Sequence, residues 1–292
     1  MFKNKTILLT IKPCNSLPSQ GPESSVRLSD VSRSVDSENS RYNADLYNDT
    51  IVLPSKDVIS RMSHEDLGSL YHRFVQYVTS LQVLCRRVTR VGQLDDGGWE
   101  ICDDHHYKPS FNCLVYSFGI KDDFSFDDEM GKQYGCEVHS FDPSNGLKDH
   151  KRSEKVTFHS YGISNDNKDF VSGKGTRWKM KNLKSFKEFL GHSSKQLDVL
   201  KMDVETWEWR ILPEMISTGS LQNVRQFLAE FHIAISPKEP SKEKYKMALY
   251  IFKDLYDLGF RIFWTHRNLW CKFTSHDGIK RSGCHEISFL KV

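Results

Sequence analysis

From residue 111 onward, short apolar runs alternate with segments long enough for helices, and most of the runs end in a glycine or an acidic residue. That rhythm leaves few folds open. Residues 112–118 run into Gly119, 136–141 into Asp142, 197–202 into Asp203 and 224–229 into Glu230, with a further run at 156–161. Four to eight apolar or β-branched residues bounded by turn formers read as buried strands. The clearest helix is 241–258, where Tyr245, Ala248, Leu249, Phe252 and Leu255 share one face and Gly259 supplies the stop. Two more strands follow at 260–265 and 285–292. Alternating strands and helices predict a mostly parallel, doubly wound α/β sheet with right-handed crossovers. The last two strands are joined by about twenty residues containing Asn268, Asp277, Gly278 and Gly283, with no helical period. A connection without a crossover helix suits an antiparallel hairpin. The expectation is a seven-stranded, mostly parallel sheet ending in a C-terminal antiparallel hairpin.

The chain before this sheet divides in two. Residues 1–60 are read as a disordered or loosely packed tail, because 13–55 is rich in Ser, Asn, Asp and Pro and lacks sustained periodicity. Order is expected to begin near Ser63, which with Asp66 resembles a capping box. Leu67, Leu70, Tyr71, Phe74, Val78, Leu81 and Leu84 then form one apolar helical stripe. Residues 61–110 are therefore expected to be a helix-and-turn extension packed on the domain at 111–292. Within it, Gly97 and Gly98 read as a turn and Trp99 as a packing anchor, with a lid over the cofactor as the alternative.

Composition excludes some functions. With 41 basic and 38 acidic residues the net charge is +3, without the basic excess of a nucleic-acid-coating protein. No apolar run approaches the roughly 20 residues of a spanning helix. The short apolar stretch at 6–11 is expected to be a patch in the tail, or the remnant of a longer signal or anchor. The seven cysteines show no zinc-ligand spacing, and no metal is expected. In an oxidising compartment Cys102 could pair with Cys113, and Cys271 with Cys284. Asn4 and Asn48 open glycosylation tripeptides.

Ligands of open α/β sheets sit beyond the carboxyl ends of the strands. Candidate cofactor contacts are therefore Ser117 and Gly119 after the first strand, Asp142 after the second, and Gly162 with Ile163 after the third. Asp142 follows Gly119 by 23 residues, close to the ~20 of an acidic residue that holds a ribose. The competing reading is a turn at 142–146. One glycine stands where a dinucleotide fingerprint has three, and Asp122 and Asp123 would repel a pyrophosphate, which disfavours a nicotinamide oxidoreductase. Asp203, Glu205, Glu230 and His232 are the candidate catalytic residues, with Glu208 placed beside Glu205 on one helix face. Converging carboxylates and an imidazole suit a general base, a substrate clamp or, less favoured, an oxygen-rich divalent metal site; the bland alternative is helix-capping acids and a core histidine.

Together, residues 115–120, 125–127, 135–143, 200–205, 230–232 and 285–289 resemble the animal methyltransferase-like proteins, which are related to FkbM-type class I methyltransferases. The resemblance covers about 95–292. It implies a Rossmann-like fold, S-adenosylmethionine as cofactor, and methyl transfer, expected on oxygen, to a small-molecule, glycan or peptide acceptor. The secretory pathway is suggested because members often carry an N-terminal signal or anchor. FkbM-type relatives have glycine where this chain has Thr206. The rival expectation is an inactive binding module that keeps the fold.

Overall fold

The computed structural model describes residues 53–62 and 66–292. Helices α1 (Lys56–Arg61) and α2 (Leu67–Val78) precede a hairpin of β1 (Val88–Val91) and β2 (Trp99–Cys102). Then come β3 (Leu114–Phe118), α3 (Ser125–Gln133), β4 (Glu137–Phe141), β5 (His150–Lys151) and β6 (Val156–His159). Four two-residue strands follow: β7 (Gly162–Ile163), β8 (Phe170–Val171), β9 (Arg177–Trp178) and β10 (Met180–Lys181). The chain continues through α4 (Leu183–Phe189), β11 (Leu197–Met202), α5 (Glu208–Ser217), β12 (Val224–His232), α6 (Lys242–Asp257), β13 (Phe260–Thr274) and β14 (Lys280–Lys291).

The main sheet has the order β13-β14-β12-β11-β3-β4-β6-β5. Strands β12, β11, β3, β4 and β6 are parallel neighbours. Strand β14 is antiparallel to both β12 and β13. The sheet is mixed and eight-stranded rather than seven-stranded. The extra member is β5, which adds antiparallel to β6 at the edge.

The strands alternate their side chains between two apolar layers. One layer gathers Tyr116, Phe118, Phe141, Leu200 and Phe227 with residues of α1, α2, α4, α5 and α6. The other gathers Val115, Val138, Val199 and Leu228 with Phe126 and Met130 of α3 and with Trp99 and Ile101 of β2. The β1–β2 hairpin thus does the covering that a helix would do elsewhere. It is held by the buried Gln226 amide, which donates to the Cys102 and Tyr107 carbonyls and accepts from Cys102 N.

Several expectations change. The tail was expected to reach residue 60, yet Leu53, Ile59 and Met62 are buried in the core and α1 is capped by Ser55. Apolar residues spaced to bury one face outweigh the polar composition around them; the tail before Leu53 lies outside the described residues, as do Ser63, Asn4, Asn48 and the apolar stretch at 6–11. The α2 cap is Asp66, whose carboxylate accepts from Ser69 N. Leu81 and Leu84, placed on the helical stripe, fall beyond the helix end and are half exposed. Cys271 does pair with Cys284. Cys102 instead pairs with Cys85, and Cys113 with Cys136. Strand pairing brings these partners together, and proximity in sequence does not report it. Among the described residues no helix is long and apolar enough to cross a membrane.

Candidate active site

The parallel strands deliver their carboxyl ends to one rim of the sheet. There β3 runs into Gly119, at φ +73°, and β11 into Asp203. The two ends are tied together, since Asp203 N donates to Phe118 O at 3.1 Å, and Gly119 N in turn ties β3 to the end of β4 by donating to Phe141 O at 2.9 Å. Beside them opens a cleft of about 230 Å³. Trp99, Ile120 and Phe126 give it an apolar wall; Asp122, Asp123, Asp203, Glu286 and Lys201 give it charge. The Lys201 ammonium lies 5.5 Å over the Trp99 ring and reaches Gly119 O at 3.3 Å.

Next to the cleft, four carboxylates surround His232. Its Nε2 is 3.8 Å from Asp203, 3.5 Å from Glu205 and 3.6 Å from Glu230, and its Nδ1 is 3.3 Å from Glu208. Helix α5 fixes this geometry: Glu208, fully buried, accepts from His232 N at 2.6 Å, and Trp209 Nε1 donates to His232 O at 2.8 Å. Burial disfavours a charged imidazole, but pairing with Glu208 and the fields of Glu230 and Asp203 outweigh it and push His232 up to about 9. His232 is therefore an imidazolium at neutral pH. Burial, reinforced by Asp203, pushes Glu230 up to about 8; burial, with Glu100 and Asp203 adding to it, pushes Glu286 up to about 7. Asp203 is likewise raised by burial.

The cluster makes stability depend on pH with a definite sign. His232, Glu230 and Glu286 all hold protons more tightly folded than unfolded, so their stabilisation is complete at low pH and is lost as pH rises through their folded values. His159 and His285, both lowered by burial to about 4, act oppositely, but only below about 6.5. Urea unfolding is expected to show a loss on the order of 5 kcal/mol between pH 6.5 and 9, and Glu230→Gln is expected to flatten the curve. A flat wild-type curve over that window would refute the proton inventory.

The turn after β11 is strained. Glu205 and Thr206 have φ of +51° and +78°, values that a β-branched residue rarely adopts. Helix α5 begins only at Glu208, so Glu205 and Glu208 do not share a helix face as expected; they reach His232 from opposite sides of its ring. Lys121, at φ +53°, strains the turn across the cleft. Such strain gathers at functional sites. Thr206→Gly is expected to raise the melting temperature by about 2–4 °C, the net of the left-handed cost and glycine's unfolded-state entropy. A lower melting temperature would mean that the threonine side chain outweighs its backbone strain.

A family model described as a methyltransferase domain matches residues 36–291. The chain belongs to the methyltransferase-domain family. Two proteins named "Probable methyltransferase-like protein 24" are similar to it. The rat protein is 29% identical over 239 residues, covering 75% of this chain, and the human protein 27% identical over 249 residues, covering 79%. The chain spans 64% of the rat relative's length and 67% of the human one's. The resemblance to animal methyltransferase-like proteins is thereby established, and with it a Rossmann-like α/β fold.

Within this methyltransferase domain the four expected catalytic residues come together, and Asp203 alone of them also lines the cleft. The expected cofactor residues separate. Gly119 lines the cleft. Asp142 Oδ2 already accepts from Lys121 N at 2.7 Å, and Oδ1 accepts from Ser144 N and Oγ at 2.7 and 2.6 Å. A carboxylate has about four acceptor sites, so gripping two ribose hydroxyls requires Ser144 to let go. Ser117 is fully buried on the α3 face, near Asp127, which burial pushes up to about 6 against the pull of Lys201. Gly162 packs against Met180 and Pro143, and Ile163 is buried in the core. Neither Asp142 nor any of these three lines the cleft.

Sequence reasoning missed Lys201, Glu286 and the depth of Glu208. Lys201 sits in a strand where alternation marks it as inward-facing. Glu286 had a signal in its cross-strand pairing with Glu230, which only the register reveals. Of the metal-ligand types here, Cys271 and Cys284 near Glu230 and His232 are a disulfide and offer no thiolate.

Proposed function

We propose that this domain is an S-adenosylmethionine-dependent methyltransferase of class I, FkbM-like type, acting on an oxygen of a small-molecule, glycan or peptide acceptor. Seven of the eight strands fall in a doubly wound order that ends in the β13–β14 antiparallel pair, which supports the class. The observation that carries the reading is Asp203, which belongs both to the cleft and to the His232 cluster. The cleft suits a cofactor with an aromatic ring and a positive centre: Trp99 and Phe126 offer stacking area, while the acids Asp96, Asp122, Asp123, Asp203 and Glu286 outnumber Lys121 and Lys201, which favours a cation over a pyrophosphate. When bound, S-adenosylmethionine supplies an electrophilic methyl group on a sulfonium. Asp203 and Glu205 accept the proton that the acceptor hydroxyl gives up. His232, being already protonated, is not that base; its charge holds the carboxylates together and keeps Asp203 aimed into the cleft. Asp142 positions the Gly119 loop through Lys121 N, and Lys201 braces the same loop through Gly119 O. The three disulfides among the described residues support residence in an oxidising compartment such as the secretory pathway.

Calorimetry tests this reading. S-adenosylmethionine and S-adenosylhomocysteine are expected to bind and NADH not to bind. The engaged oxygens of Asp142 favour a second reading, a binding module without turnover. Binding of both S-adenosyl ligands with no acceptor found in a screen would select that module; binding of neither would overturn both readings.

A further inference from the structure

A second cluster lies at the opposite end of the sheet from the cleft, where β4 begins. Glu137 and His139 are two residues apart on this strand and share a face. His192 follows α4, its N donating to Lys187 O at 2.6 Å. Glu137 Oε1 is 3.1 Å from His139 Nε2 and 3.5 Å from His192 Nε2. These three atoms all lie within 4.8 Å of one another. We propose that Glu137, His139 and His192 form a binding site for a divalent transition metal of the zinc type.

Three features support this. Two imidazole nitrogens and one carboxylate oxygen are the ligand set of an open zinc site, with water in the fourth position. Bonds of about 2.0–2.1 Å in a tetrahedron put neighbouring ligand atoms roughly 3.3 Å apart, and the two Glu137 separations bracket that value. Each histidine also has its other nitrogen held. His139 Nδ1 is 2.9 Å from His159 Nε2, and His192 Nδ1 is 2.8 Å from Tyr116 Oη. Outer partners of this kind fix the tautomer and orientation of metal-bound imidazoles. Register places them: Tyr116 lies directly opposite His139 on β3, and His159 ends the next strand on the same face.

The histidines are buried, at 7% and 4% exposure, while the Glu137 side chain is 48% exposed, so an ion can enter from solvent. Lys195 Nζ lies 3.5 Å from Glu137 Oε2, which leaves Oε1 facing the imidazoles. Without metal, the same atoms close a hydrogen-bonded chain in which His139 Nε2–H donates to the Glu137 carboxylate and His139 Nδ1 accepts from His159 Nε2–H. Metal binding at Nε2 of His139 releases no net proton: His139 and His159 both shift from the Nε2–H to the Nδ1–H tautomer, so that His139 Nδ1–H donates to His159 Nε2. Imidazole ligands favour zinc-type ions over magnesium or calcium. The site would tie the loop after α4 to the sheet, and it does not depend on the methyltransferase reading.

The test uses the full chain, free of any histidine tag, stripped with chelator and titrated with Zn2+ alone. One Zn2+ per chain is expected, with Ca2+ and Mg2+ failing to compete. Glu137→Gln changes an exposed side chain and leaves the fold intact; together with His192→Gln it is expected to abolish the binding. Tyr116→Phe removes only the hydroxyl on His192 Nδ1 and is expected to weaken Zn2+ by about 10–100-fold, an effect that mere packing would not produce. Two results overturn the proposal: no Zn2+ bound by the wild-type chain, or Zn2+ bound equally by the folded Glu137→Gln/His192→Gln variant, which would place the ion elsewhere, for example at Asp203, Glu205 and His232.

Discussion

Gly119→Ala is expected to destabilise the domain by about 2–5 kcal/mol, lowering its melting temperature by roughly 4–20 °C, and to abolish cofactor binding in whatever folds. Two costs combine. At φ +73° any side chain meets the left-handed penalty, about 1–2 kcal/mol. A Cβ there would also lie 1.6 Å from the Asp203 carbonyl oxygen. That atom is backbone, so it cannot rotate away; β3 and β11 must part, which breaks the Asp203 N to Phe118 O bond. Overpacking of this kind costs about 1–3 kcal/mol more. Gly146→Ala is the control. Gly146 has φ +75° but nothing within 4 Å of its added Cβ, so it carries the first cost alone. The difference between the two variants isolates the clash. Equal melting temperatures would show that the strand ends are not locked together as described.

The strand frame was legible because buried strands announce themselves by apolar runs. The run at 197–202 became β11 without change, and the helix read at 241–258 became α6 with Ser241 as its cap. The polar ends of those runs located the rim that carries Gly119, Asp203, Glu230 and His232. Three things were not legible. Strands with mixed faces were read short: β12 runs on to His232 and β13 to Thr274, since pairing extends strands past their apolar core. The β1–β2 hairpin was read as turn and packing, because its sheet face is defined by Gln226 and Leu228 more than a hundred residues away. Contacts across the sheet were hidden altogether. Ser117 ends a strand just as Asp142 follows one, but alternation turns its side chain into the α3 layer; no local signal separates a strand-end serine that meets a ligand from one that does not.

Charge at the site leads to the second large effect. Given an acceptor found by screening glycans, small hydroxyl compounds and peptides, Asp203→Asn and Glu205→Gln are each expected to cut turnover by ~10²-fold or more, the usual size of a lost acid–base group. They should differ in binding. Asp203 lines the cleft, so its amide variant is expected to weaken S-adenosylmethionine as well. Glu205 is 76% exposed at its side chain and does not line the cleft, so Glu205→Gln is expected to leave cofactor affinity nearly unchanged. His232→Ala tests the cluster in another way. With the imidazolium gone, Asp203 keeps only Lys201 as a positive neighbour and Glu230 loses His232, so both carboxyls should bind a proton more tightly. The pH at which turnover rises is then expected to move upward, because Asp203 must be ionised to act. A histidine serving as the base would give the opposite record: turnover lost at every pH, with no shift of the limb. If Asp203→Asn and Glu205→Gln both turn over at the parent rate, proton acceptance lies outside this cluster, and the four carboxylates do no more than hold the ends of β11 and β12 to α5.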